Sequence, residues 1–342
     1  MIASFVTAGG NLKDKRAWSI VLFFLIFTLL FAILSATLGS YPMALRDVIS
    51  TIWSGQGDNA IRGILLDIRL PRIILALLSG SAMALSGVVL QVLTRNSLAA
   101  PGLVGVEAGA GTAVLMAMIV WRSALPIELY PLAAFLGGVL VAFLIAALSW
   151  NRGISPLRLI LVGVGVTAIL SAVADTLITY GRIDQVESAL LWLAGSLHSA
   201  GWENVRSQSL WLILSGVPIL LLHRHFDLFQ LGGPVASTRG LNIGRFQIAV
   251  LLFSVMLTAS AVANVGTMSF IGLLAPHAAR LLVGDRHRFL LPLTAILGAS
   301  IVLISDTIGR TAFAPLQIPA GLVVAVIGAP YLLFLLSRRG QS

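Results

Sequence analysis

The sequence predicts an all-α membrane protein of about ten transmembrane helices, with both termini on the cytoplasmic side. Apolar residues fill 58% of its 342 positions and charged residues only 10%, at a mean hydropathy of +0.99, whereas soluble domains carry roughly 25% charged residues. Ten segments approach the ~20 apolar residues that cross a ~30 Å hydrocarbon core. Counting Lys and Arg over the connections then orients the chain.

The ten segments run over residues 18–38, 73–93, 104–120, 130–150, 159–180, 207–222, 246–265, 268–283, 289–308 and 319–337. The first follows Lys13, Lys15 and Arg16 as a secretory leader would. Its 21 uncharged residues and the lack of an Ala-x-Ala cleavage site nevertheless predict a span that is retained. Residues 39–68 read as an external connection with an amphipathic piece over 41–53. The apolar piece 187–197 is too short to span. Segments 207–222 and 268–283 are short or interrupted by Gly and Pro, so protein must shield them from lipid. Residues 223–245, with Gly232, Gly233, Pro234 and Gly240, form the longest internal loop. Neither a soluble domain nor a low-complexity linker interrupts the pattern, and residues 1–342 read as one membrane domain.

With the N-terminus inside, fourteen of the 22 Lys and Arg fall on internal segments, leaving eight outside: Arg46, Arg62, Arg69, Arg72, Arg122, Arg182, Arg206 and Arg310. The bias favours both ends inside. The formal net charge of +9, in so apolar a chain, points to topology and anionic lipid rather than nucleic acid. The absence of Cys removes disulfides, thiolate chemistry and Cys-ligated metals. Both lysines, Lys13 and Lys15, precede the first span, so a phosphate-gripping or Schiff-base Lys within the fold is excluded. No cofactor or metal site is expected, and any ATPase must be a separate chain.

Three blocks narrow the function. RLPRIILALLSGSAMALSGVVLQVLTRNSLAAPGLVGVEAGAG covers residues 69–111, VGTMSFIGLLAPHAARLLVGDRHRFLLP covers 265–292, and SDTIGRTAFAPLQIPAGLVVAVIGAPYLLFLL covers 305–336. Together, in order and at matching spacing along essentially the whole chain, they resemble the permease subunits of bacterial type II ABC importers, which take up ferric siderophores, haem and cobalamin. The resemblance implies a ten-helix permease fold in the bacterial inner membrane. It further implies four kinds of partner: a second permease, the same or a homologous chain; two cytoplasmic ATPases; a periplasmic or extracellular binding protein; and an iron-chelate substrate. The chain itself would catalyse no reaction.

The same resemblance suggests sites. Arg69, Arg72 and Arg310 match arginines that meet carboxylates of the binding protein, and a guanidinium fork fixes a carboxylate in both distance and orientation. Interfacial snorkelling is the plainer reading of such residues. Leu231, Gly232, Val235, Ala236, Gly240 and Leu241 lie in the segment resembling the family's ATPase-coupling element, two short helices, although Gly233-Pro234 replaces the usual acidic residue. Asn96 and Leu98, with Pro156 and Leu157, match residues that constrict the inner end of the pathway, although Ser97 stands where the family commonly has Pro. Pro276, His277, Arg280 and Asp306 match polar features that tie helices together. Glu107 and Asp175 are further charges inside spans, where charge is costly. Within the importer reading, ferric siderophore leads, with haem and cobalamin as alternatives. A secondary carrier driven by an ion gradient is the alternative of a different class; it would use Glu107, Asp175 and Asp306 as a relay.

Overall fold

The computed structural model describes residues 2–39, 41–54, 59–121, 126–150 and 153–339. Arg122 and Arg152, both used in the charge count, lie outside these residues. In chain order the helices are α1 (Ile2–Thr37), α2 (Leu45–Ser54), α3 (Asn59–Gly63), α4 (Leu70–Thr94), α5 (Val106–Leu115), α6 (Tyr130–Leu148), α7 (Pro156–Tyr180) and α8 (Ile183–Leu193). They continue with α9 (Trp202–Trp211), α10 (Val217–Leu221), α11 (His223–Gln230), α12 (Gly233–Thr238), α13 (Ile243–Val265), α14 (Ile271–Val283), α15 (His287–Thr311) and α16 (Ala320–Arg339). Wider π-helical turns, Ile64–Arg69, Met116–Val120 and Leu212–Gly216, join α3 to α4, extend α5, and join α9 to α10. Among the described residues the only β pairing is an isolated bridge between Trp150 and Ile154.

Each apolar segment read from the sequence falls on helix. Among the described residues six helical stretches are long and apolar enough to cross a membrane, or seven if Trp202–Leu221 and His223–Gln230, bent by 54°, count as one. Three shorter apolar helices, Val106–Val120, Ile271–Val283 and Ala320–Leu333, accompany them. The short piece expected at 187–197 forms earlier, as α8, because Gly195 takes a left-handed φ of +72° and ends the helical run.

α4 is the central element and packs against α15, α13, α14 and α9. Helices in lipid gain no hydrophobic drive toward one another, so close packing depends on small residues. A Cβ placed on Gly80 would lie 2.3 Å from the Gly298 carbonyl oxygen on α15, and one on Gly87 would lie 2.0 Å from that of Gly272 on α14. Only glycine permits these two backbone crossings. Buried hydroxyls add stitches: Ser86 bonds Ser254 (2.7 Å) and Thr258 (2.6 Å) on α13, while Thr28 and Ser35 of α1 bond Ser300 (2.6 Å) and Thr307 (2.8 Å) of α15. On α1, α6 and α7, exposed side chains such as Phe23, Leu30, Leu140, Phe143 and Leu161 leave broad apolar faces suited to lipid or another membrane chain.

Candidate functional site

At one end of α4, Arg72 and Arg310 flank a single carboxylate, Asp306, and the guanidinium of Arg69 lies beside that of Arg310. The Nε of Arg72 lies 3.0 Å from both Asp306 oxygens and its Nη2 lies 2.8 Å from Oδ1, while Nη1 donates to Gln317 Oε1 at 2.9 Å. Gln317 Oε1 is also 3.0 Å from His198 Nδ1. One turn beyond Asp306, the Nε of Arg310 sits 3.6 Å from Oδ2. Arg310 donates to the carbonyls of Ser35 and Leu38 and to Ser35 Oγ (2.6 Å), and Arg69 donates to the carbonyls of Ala36 (2.6 Å) and Tyr41. The carbonyls of Ser35, Ala36 and Leu38 belong to the last turn of α1 and just beyond, where a helix has no N–H donors of its own to offer them. Two guanidiniums therefore cap α1, and the partial negative charge of its end offsets the excess of arginine over Asp306.

These arginines are 6%, 9% and 6% exposed at positions 69, 72 and 310. The three guanidiniums thus turn into the chain rather than into solvent. Burying a guanidinium demands that its donors be satisfied, and the α1 carbonyls, Asp306 and Gln317 accept from them inside the chain.

The opposite end of α4 runs into the turn that holds Asn96 and Leu98. Arg95 adopts φ +51° as the C-cap residue, and its guanidinium lies 5.9 Å from the centre of the Phe229 ring. Asn96 Oδ1 accepts the Leu98 N–H at 2.9 Å, an Asx turn that fixes the loop. Leu98 lines a cavity of about 280 Å³ with Met83, Pro101, Glu107 and Phe270. Pro156 and Leu157 begin α7, with Leu157 67% exposed, and no hydrogen bond among the described residues links them to Asn96 or Leu98. Beside the turn, Arg280 donates to Gln91 Oε1 and lies 3.5 Å from Asp285, and Gln91 Nε2 donates to the Gly272 carbonyl at 3.3 Å. Pro276 is buried within α14, and the His277 ring meets Tyr331 of α16 edge-on at 5.9 Å.

In the segment from Leu231 to Leu241 one short helix forms, α12, and a second, α11, stands just before it; they are joined at Gly232, whose φ of +102° an L side chain rarely adopts. Gly240, with φ +86°, ends α12. Leu231 and Val235 are 62% and 45% exposed, whereas Ala236 is fully buried and Leu241 packs on the core. The segment thus offers two apolar side chains outward and is anchored by the others. Its main anchor escaped the sequence reading. Asp227 Oδ1 accepts from the His287 backbone N–H (3.0 Å) and pairs with its ring Nδ1 (2.7 Å), and Phe226 stacks on the His287 ring at 5.2 Å. The Phe226/Phe229 spacing of three residues marks the face of α11 that turns inward, but nothing in the sequence marks Asp227 and His287 as partners.

The three carboxylates proposed for an ion relay stand apart: Asp306 is held by Arg72, Glu107 is half-buried in the first turn of α5, and Asp175 lies exposed on α7. No group of three or more His, Asp or Glu arranged for a metal occurs among the described residues.

The FecCD transport family profile matches residues 25–338. The chain belongs to the FecCD transport family. Within it, the achromobactin transport system permease protein of Dickeya dadantii is 37% identical over 91% of this chain and 89% of its own length. The Fe(3+)-citrate import system permease protein of Bacillus subtilis is 36% identical over 96% and 98%. Among solved structures, an inward-facing metal-chelate type ABC transporter superposes with a TM-score of 0.83 at 28% identity, covering 94% of this chain and 99% of that one. This FecCD chain is accordingly an all-α, multi-pass protein of the bacterial inner membrane with the type II importer permease fold, and ATP hydrolysis resides in a separate partner subunit. Its transport also involves a binding protein.

Proposed function

We propose that this FecCD protein translocates a ferric siderophore across the inner membrane, with haem or cobalamin as the neighbouring alternatives. The observation that carries the reading is full-length similarity to permeases named for achromobactin and Fe(3+)-citrate, joined to a short helix pair whose Leu231 and Val235 face outward. In this reading residues 1–342 form one permease domain with ten crossings and both ends inside. It pairs with a second permease, the same or a homologous chain, and with two ATPases that grip the α11–α12 segment. The binding protein docks at the end where Arg69, Arg72 and Arg310 hold α1, α4 and α15 in register. The inner turn at Asn96 and Leu98 and the start of α7 at Pro156 and Leu157 narrow the pathway on the ATPase side.

The test is transport by vesicles holding the permease, its ATPase and its binding protein. Ferric chelate should accumulate only with ATP on the ATPase side and the loaded binding protein on the other. Uptake that continues without nucleotide and stops with an uncoupler would overturn the importer reading, and competition by unlabelled haem or cobalamin rather than ferric siderophore would move the substrate to those alternatives.

A further inference from the structure

A groove between α6 and α13 belongs to none of the sites above. Its cavity, about 320 Å³, is walled by Val139, Phe143 and Ala146 of α6, by Ile248 and Leu252 of α13, and by Trp150 at one end. On α6 the lining runs from Val139 to Ala147, roughly 12 Å at 1.5 Å per residue. That is close to half of a ~30 Å hydrocarbon core, the depth of one leaflet. The lining side chains are apolar throughout, apart from the indole of Trp150, a ring that favours the membrane–water boundary.

The Trp150 end is built and charged. The Gln247 side chain both accepts from the Ile154 N–H and donates to its carbonyl, each at 3.2 Å, fastening the turn after α6 to the first turns of α13. Arg245 lies one helical turn before Ile248 on α13, Arg158 lies in the first turn of α7 four residues after Ile154, and both are exposed. An apolar slot of leaflet depth whose wet end carries two guanidiniums and an interfacial Trp is complementary to an acyl chain bearing an anionic headgroup. We propose that the α6/α13 groove binds an anionic phospholipid, with one acyl chain between the helices and the phosphate at Arg158 and Arg245. Because α13 follows directly on α12, the lipid sits against the helix that leaves the coupling segment.

The chain has no Cys, so Leu140→Cys, on the exposed side of α6 beside Phe143, accepts a single fluorophore. The assembled transporter, reconstituted in nanodiscs, is titrated with phosphatidylglycerol or phosphatidylcholine brominated on the acyl chain. Quenching should half-saturate at a mole fraction at least fivefold lower for phosphatidylglycerol. That preference should vanish in Arg158→Gln/Arg245→Gln, whose exposed sites leave folding intact, and quenching by both lipids should fall in Ala146→Phe, which fills the slot. Equal quenching by the two lipids in the parent protein, or a preference that survives the double Arg variant, overturns the proposal. So does absence of quenching, the result expected where a second permease covers the groove.

Discussion

Asp227 receives His287 twice, through the backbone N–H at 3.0 Å and through ring Nδ1 at 2.7 Å, so one carboxylate oxygen fastens α11 to the first turn of α15. The His287 ring is completely buried beneath Phe226. α15 in turn meets α4 at the Gly80–Gly298 crossing, so in the coupling reading proposed above a push on α11 has a packed route to α4.

Replacing Asp227 with Ala should loosen that delivery without dissolving the bundle. A buried donor left unpaired costs about 1–3 kcal/mol. The expected outcome is a transporter that assembles and hydrolyses ATP but takes up substrate at least fivefold more slowly. Thermal unfolding followed beside uptake checks it; uptake equal to that of the parent refutes it.

Val235 is 45% exposed, so Val235→Asp should spare the fold. If the side chain meets the ATPase, a charge there must be desolvated without a partner. Copurification of the ATPase or ATP-driven uptake should fall at least tenfold, and normal values of both would remove this segment from coupling. Leu241 is unsuitable for the same experiment, since it packs on the core.

Arg72→Glu should act on folding before docking. Removing one partner of a buried pair costs about 3–5 kcal/mol, and here the new carboxylate would face Asp306. A lowered midpoint in detergent thermal denaturation is expected together with reduced membrane yield. A variant with unchanged stability that fails only to bind the binding protein would restore the exposed docking role.

Gly80→Ala adds one methyl, yet its Cβ would lie 2.3 Å from a backbone oxygen that no rotamer change can move. α4 and α15 must part, at a cost of about 1–3 kcal/mol or more for overpacking. Gly63→Ala, with nothing within 4 Å of its Cβ, is the control and should leave the denaturation midpoint unchanged.

Glu107→Gln and Asp175→Asn should leave ATP-driven uptake within about twofold, because neither acid is needed to load an ion in an importer. Asp175 is exposed on α7 and Glu107 is half-buried, so each substitution is sterically mild. Transport abolished by either, with assembly intact, would revive the gradient-driven reading.

The apolar segments were legible because helical spans are local, and a window of twenty residues contains the whole signal. The short helices at 223–238 were anticipated only through the family resemblance of the segment from Leu231 to Leu241, since the glycines by themselves read as a long loop. The burial of Arg69 and Arg310 was not, since a charge count treats an arginine near a span end as wet. What buries these two is a set of unpartnered carbonyls on α1, 33 residues from Arg69 and 275 from Arg310 in the chain. The Asp227–His287 pair, 60 residues apart, was hidden for the same reason: hydrogen-bond partners chosen by tertiary packing leave no periodicity to read.

The clasp on α1 has a consequence for the order in which the molecule is made. A ribosome delivers Ser35 and Leu38 first, Arg69 soon after, and Arg310 only when most of the chain has been synthesised. Until then the carbonyls of Ser35 and Leu38 lack the donors that Arg310 supplies. The earliest helix to enter the bilayer is thus among the last to be locked, and a chain truncated before residue 310 would carry an open first helix that membrane quality-control proteases could recognise.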